Sequence, residues 1–178
     1  KPSSAAAEVY KRQGAGGAVY VFRTTDGGAT YDEIAKLTAA DAASGDYFGS
    51  SVAIDGNTIV VGAHYENSRR GAAYVFRTLD GGATYVELAK LTARDASTYD
   101  YFGNRVAIAG NTIVIGAYED DSDRGAVYVF RTSDGGATYG QVAKLTASDA
   151  YSDDNFGISV AIDGDTIVAG SRYDDDAG

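Results

Sequence analysis

One 54-residue unit is written three times along this chain. Gly17-Ala18-Val19-Tyr20-Val21-Phe22-Arg23-Thr24 returns as Gly71-Ala72-Ala73-Tyr74-Val75-Phe76-Arg77-Thr78 and again as Gly125-Ala126-Val127-Tyr128-Val129-Phe130-Arg131-Thr132, at a constant offset of 54. Self-similarity at such a period marks a stack of like units, each covering an apolar face of the next. The copies are 17–70, 71–124 and 125–178, and the next Gly-Ala would fall just past Gly178, so the array is expected to be a piece of a longer one. The repeat is recognisable from residue 14 onward. Residues 1–13 do not match the segment one period later and are set outside the fold as adventitious sequence, a natural cap or linker being the alternative.

Each unit holds four short β-type runs: in the first full set Ser51–Ile54, Thr58–Ala63, Ala72–Thr78 and Tyr85–Thr92. Asp55-Gly56-Asn57 separates the first two and Asp80-Gly81-Gly82 the last two. Gly, Asn and Asp tolerate positive φ, so both connections are expected to be tight hairpins. Ile59-Val60-Val61 and Tyr74-Val75-Phe76 are apolar at consecutive positions, which predicts sheets buried on both faces. The expected fold is all-β: four-stranded antiparallel blades of an incomplete β-propeller. A parallel β-helix would have shorter rungs and lack two tight hairpins per unit.

Composition narrows the chemistry. With no cysteine and one histidine, disulfides, Cys/His zinc sites and Cys–His nucleophiles are excluded. No apolar run approaches the length of a membrane-spanning helix, so no membrane insertion is expected. A net charge of −10 disfavours nucleic acid as a partner.

Phe48-Gly49-Ser50-Ser51-Val52-Ala53-Ile54, followed by Ile59-Val60-Val61-Gly62-Ala63 and Ala72-Ala73-Tyr74-Val75-Phe76, resembles the FG-GAP repeat of integrin α-subunit-like β-propellers. Phe102-Gly103 with Gly116-Ala117, and Phe156-Gly157 with Gly170-Ser171, repeat the pattern, so the resemblance covers residues 14–178. It implies a non-catalytic, extracellular or cell-surface interaction module, commonly in adhesion. It also implies calcium in a loop of about nine residues joining the first two strands, because that ion needs six to eight oxygens. Here that connection is only Asp55-Gly56-Asn57 or its counterparts. The other hairpin, Thr78-x-Asp80-x-Gly82-x-Thr84-Tyr85 and its copies from Thr24 and Thr132, resembles the Asp-box of sialidase-type propellers. That motif is structural, its Asp and Thr side chains bonding the turn backbone.

Alternating strand direction puts the two tight hairpins on one face of a propeller and the long connections on the other. Segments 39–49, 63–70, 93–103, 117–124, 147–157 and 171–178 carry five basic and fifteen acidic residues, which accounts for the whole net charge of −10. The bland explanation is a solvated, solubilising loop face. The functional one is a site for a cation or a basic partner. Glu119, Asp120, Asp121 and Asp123, with Asp174, Asp175 and Asp176 in the following copy, are the candidate calcium ligands. Tyr65, Tyr118 and Tyr173 are the candidate ligand contacts, tyrosine offering large area with a polar tip. Tyr47 and Tyr101, next to the recurrent Phe48 and Phe102, are expected to wedge between blades. The expected function is adhesion or ligand binding to a protein or glycan through the long-loop face. A carbohydrate-binding or sialidase-like propeller and an architectural spacer are the alternatives. Further repeats or self-association would be needed to close the ring.

Overall fold

The computed structural model describes residues 16–174. The 1–13 leader, Asp175 and Asp176 lie outside the described residues. Two strands, β1 (Val19–Arg23) and β2 (Asp32–Leu37), pair antiparallel at the start. A four-stranded meander follows, β3 (Ser51–Asp55), β4 (Thr58–Ala63), β5 (Ala72–Arg77) and β6 (Val86–Leu91). The next copy repeats it as β7 (Arg105–Ala109), β8 (Thr112–Ala117), β9 (Ala126–Arg131) and β10 (Gly140–Leu145). A last hairpin, β11 (Ser159–Asp163) and β12 (Thr166–Gly170), completes the order. The described residues thus form the outer half of one blade, two whole blades and the inner half of another. No sheet closes on itself among them.

The apolar runs decide the packing. β4 and β8 are buried along nearly their whole length on both faces, because a blade meets a neighbour on each side. One core joins Val21 and Leu37 to Phe48, Val61, Tyr74 and Phe76 of the first whole blade. A second joins Val60, Val75 and Leu91 of that blade to Phe102, Ile113, Ile115, Tyr128 and Phe130 of the next. The cores therefore lie between consecutive blades rather than within any one of them. The first strands β3, β7 and β11 lie side by side, as innermost strands grouped toward a common axis do.

Phe-Gly and Gly-Ala recur because they touch. Gly71, at the start of β5, bridges in parallel to Phe102 at the entry to the next blade, as Gly17 does to Phe48 and Gly125 to Phe156. Gly71 has φ +81°, and a Cβ there would lie 1.9 Å from the Phe102 carbonyl oxygen, so no other residue fits. Phe102 itself packs edge-on to Tyr128 and Phe130, with ring centroids 5.4 and 6.0 Å away.

The connections from β4 to β5 and from β8 to β9 each contain a short left-handed turn. Asn67, Ser68 and Arg69 have φ of 48°, 62° and 67°, and Asp121, Ser122 and Asp123 have 52°, 63° and 65°. Such conformations cost about 1–2 kcal/mol per residue. They are held by the following blade: Tyr101 N donates to Arg69 O at 2.9 Å, and Asn155 N to Asp123 O at 2.8 Å.

Candidate functional site

The long connections of each blade meet over its outer strands. In the second whole blade, Lys144 of β10 sits 2.7 Å from Asp95 Oδ2 and 2.7 Å from Asp120 Oδ1. The Tyr128 hydroxyl contacts Asp95 at 2.8 Å and Asp120 at 2.5 Å. Lys144 Nζ also lies over the Tyr128 ring, 5.3 Å from its centroid. Asp41, Glu66, Tyr74 and Lys90 repeat the group one blade earlier, with Lys90 2.5 Å from Asp41 and 2.9 Å from Glu66. Asp95 comes from the connection into the blade and Asp120 from the connection between its second and third strands. Their meeting at one lysine shows that both connections open on one face.

The electrostatics follow from this geometry. Burial works against the charge on Asp95, but hydrogen bonds from Lys144 and Tyr128 outweigh it and the carboxyl lies below its ordinary value. Asp41 is lowered in the same way, with Lys90 and Tyr74 as donors. Burial, then the Asp120 carboxylate, pushes Tyr128 well above the ordinary phenol value. Counting charge by segment therefore misplaces two cations, since Lys90 and Lys144 belong to strands yet neutralise loop acids.

The four candidate metal ligands of this region have separate fates. Asp120 is buried, with both oxygens taken by Lys144 and Tyr128. Asp121 is exposed and pairs with Arg124 at 3.2 Å. Burial raises Glu119, and the charge of Asp123 adds to the effect. Among the described residues, no three Asp, Glu or His side chains are grouped so as to hold a metal ion. Asp174 is exposed at the end of the described chain.

Between the 95–100 and 119–123 segments opens an acidic cleft of about 470 Å³, lined by Tyr99, Asp100, Glu119, Asp121 and Asp123 with Lys144 beneath. Burial pushes the Asp100 carboxyl up to about 6, while the Ser97 N–H bonded to it acts in the opposite sense and the neighbouring Asp120 and Asp95 charges add to the rise. An aromatic belt runs from the first whole blade to the second beside this cleft. Tyr47 and Tyr65 have centroids 4.5 Å apart, His64 and Tyr65 4.7 Å, Tyr65 and Tyr101 5.3 Å, and Tyr101 stacks on Tyr118 at 5.2 Å. Arg69 reaches over the rings of both Tyr65 and Tyr99, 5.1 Å from each. Burial and the Arg105 charge lower the pKa of His64, which keeps the ring neutral near pH 7.

Tyr65 and Tyr118 thus sit together in the belt, whereas Tyr173 stands apart with only Arg172 over its ring among the described residues. Tyr101 is buried as a wedge should be. Tyr47 is not a wedge: it is exposed, packing among the described residues on His64 and Tyr65 of its own blade, whereas Tyr101 lies between Tyr65 and Tyr118 of two blades. Tyr99, with φ 76°, is exposed at the cleft mouth and was not singled out by sequence. Its counterparts are Gly45 and Asp153, also at positive φ, and this substitution pattern was the one available signal.

The FG-GAP repeat pattern matches residues 31–76, 85–130 and 139–178, well over half of the chain. This chain belongs to the FG-GAP repeat family. No curated protein matches it. The three FG-GAP copies share the opposite face too, where each Asp-box-like hairpin is tied by its own side chains. Thr78 Oγ1 donates to Asp80 Oδ1 at 2.7 Å and accepts from Gly82 N at 2.6 Å, while Thr84 N and Oγ1 donate to Asp80 at 2.9 and 2.7 Å. Backbone and side-chain hydrogen bonds hold Asp26, Asp80 and Asp134 far below the ordinary carboxylate range. The recurrent arginine reaches the next hairpin in two copies: Arg77 Nη1 donates to Gly135 O, and the Arg23 guanidinium lies against Gly82. The short-turn face of this FG-GAP chain is a set of structural staples. No helix among the described residues is long and apolar enough to cross a membrane.

Proposed function

We propose that this FG-GAP chain is a non-catalytic ligand-binding module of an extracellular or cell-surface protein, and that it binds through the long-loop face. The observation that carries the reading is the acidic cleft beside the aromatic belt, with Tyr99 exposed at the cleft and Tyr47 exposed at the far end of the belt. An exposed tyrosine next to the carboxylates of Glu119 and Asp123, for which no ion pair is found among the described residues, suits a basic segment of a protein ligand, where cation–π and charge contacts act together. The placement of the module outside the cell rests on the family resemblance. On the hairpin face Asp26, Asp80 and Asp134 are instead engaged in turn hydrogen bonds.

A second reading, glycan binding, is favoured by the open ring of Tyr99 above carboxylates that can accept sugar hydroxyls. Screening the chain against immobilised basic peptides and a glycan array separates the two. The combined substitution Tyr99→Ala, Asp121→Asn, Asp123→Asn should abolish capture of either ligand class while leaving the melting temperature nearly unchanged. Binding that survives all three substitutions would remove this face from consideration.

A further inference from the structure

Matching pockets open beside the left-handed turns of the two whole blades. In the second whole blade the pocket is lined by Asp120, Asp121, Arg124, Lys144, Thr146 and Ser148. Its charges cancel, Asp120 pairing with Lys144 at 2.7 Å and Asp121 with Arg124 at 3.2 Å. In the first whole blade the pocket has a volume of about 270 Å³ and is lined by Glu66, Asn67, Arg70, Thr92 and Arg94. Two differences between the copies make it more positive: Asn67 stands where the next copy has Asp121, and Arg94 where it has Ser148.

Arg70 therefore lacks the carboxylate that its counterpart Arg124 holds. Among the described residues neither Arg70 nor Arg94 makes an ion pair. The acids nearby are committed elsewhere, Glu66 to Lys90 at 2.9 Å and Asp95 to Lys144 at 2.7 Å. The support beneath Arg94 is neutral as well. Gln141 Oε1 accepts from Arg94 N at 3.0 Å, whereas one copy earlier a carboxylate, Glu87, accepts from Ala40 N at 2.8 Å. The next blade fixes the backbone of Arg70, Phe102 N donating to its carbonyl at 3.1 Å.

We infer that this pocket binds a phosphate monoester, Arg70 and Arg94 donating to its oxygens while Thr92 and the Asn67 amide add neutral donors. Guanidinium groups match the oxygens of such an anion two at a time, and they stay charged at any physiological pH. A phosphate ester carries a charge of about −1.5 to −2 near pH 7, which two unpaired cations balance. The pocket is smaller than the roughly 300–1,000 Å³ of sites that enclose a drug-sized ligand, so it takes one group of a ligand whose remainder stays outside. It shares no lining residue with the acidic cleft and does not depend on ligand binding there.

The test is a titration of the full 178-residue chain with phenyl phosphate at pH 7.5 and constant ionic strength, followed by amide NMR shifts. Saturating shifts centred on Asn67, Arg70, Gly71 and Arg94 are expected. Asn67→Asp restores the counter-charge of the next copy in a conformation that Asp121 already adopts, φ being 48° and 52° at the two positions. It should keep the spectrum of the folded chain and weaken binding about tenfold or more, as should Arg94→Ser. Conversely, Asp121→Asn with Ser148→Arg should give the second whole blade a site of its own. Shifts that do not saturate, or that ignore both Asn67→Asp and Arg94→Ser, overturn the site. Phenyl sulfate, with the same ring and a single charge, should bind more weakly; equal or tighter binding overturns the choice of phosphate. Inorganic phosphate binding more tightly than phenyl phosphate would make the free ion the ligand and overturn the ester.

Discussion

Tyr128 shares its hydroxyl between Asp120 at 2.5 Å and Asp95 at 2.8 Å, although the two carboxylates arrive from different long connections. Lys144 bonds the same two acids, so one lysine and one phenol pin both loops to the blade beneath them. Asp120 is buried among these partners, and truncating it leaves Lys144 short of a counter-charge. Asp120→Ala should therefore destabilise the fold by about 3 kcal/mol, and Tyr128→Phe by about 1–2 kcal/mol. Urea denaturation measures both. Equal and negligible costs would mean that the group is solvated in solution.

Gly71→Ala places a methyl group against the Phe102 carbonyl at a backbone conformation already unfavourable to alanine. A loss of about 3 kcal/mol or more is expected. Gly81→Ala also sits at positive φ but meets nothing within 4 Å, so about 1 kcal/mol is expected there. The contrast between the two, read from denaturation midpoints, isolates the contact between consecutive copies from backbone strain alone.

Asp100 gives a pH signature of defined sign. Its carboxyl is raised to about 6, so the folded state binds the proton more tightly than the unfolded chain does. The stability it permits is full below the unfolded value of about 4 and is lost as pH rises through 6. Asp100→Asn should stabilise the protein by about 1–2 kcal/mol at pH 7.5 and leave it unchanged near pH 4. Thermal melts across that range decide it.

Asp80 has the opposite sign. Its carboxyl is depressed by bonds from Thr84 and Thr78, so its contribution is present above the unfolded value of about 4 and fades as pH falls below it. Asp80→Asn should lower the melting temperature at pH 7, and the difference from the parent chain should shrink on acidification. A gap constant with pH would separate the hairpin's stability from the ionised carboxylate.

Much of the scaffold was legible in the sequence. The runs at 51–54 and 58–63 fold as β3 and β4 within a residue of the expected ends, because Asp55-Gly56-Asn57 admits only a tight turn between them. Consecutive apolar residues announced sheets buried on both faces, and β4 is such a strand. The candidate site was less legible. Glu119, Asp120, Asp121 and Asp123 look alike as four acids in five positions, yet the left-handed turn at 121–123 sends Asp120 inward to Lys144 and leaves Asp121 outside on Arg124. Tyr47 and Tyr101 share a repeat position and a positive φ, yet one is exposed and the other buried. Tyr101 is covered by Tyr65 and Tyr118 from two different blades.

By itself the sequence determined the period, the strand order, the hairpins and the family, since these depend on spacing, turn chemistry and apolar runs, all local along the chain. Only the tertiary structure decided which acids are neutralised and which tyrosines reach solvent. Those outcomes depend on groups far apart in sequence meeting across a blade, such as Asp120 with Lys144, 24 residues apart, and Asp95 with Lys144, 49 apart, and on how each blade covers the next. Repetition fixes the contacts that every copy makes alike. The long-loop face is set by the positions where the copies differ and by the neighbours that folding brings to them.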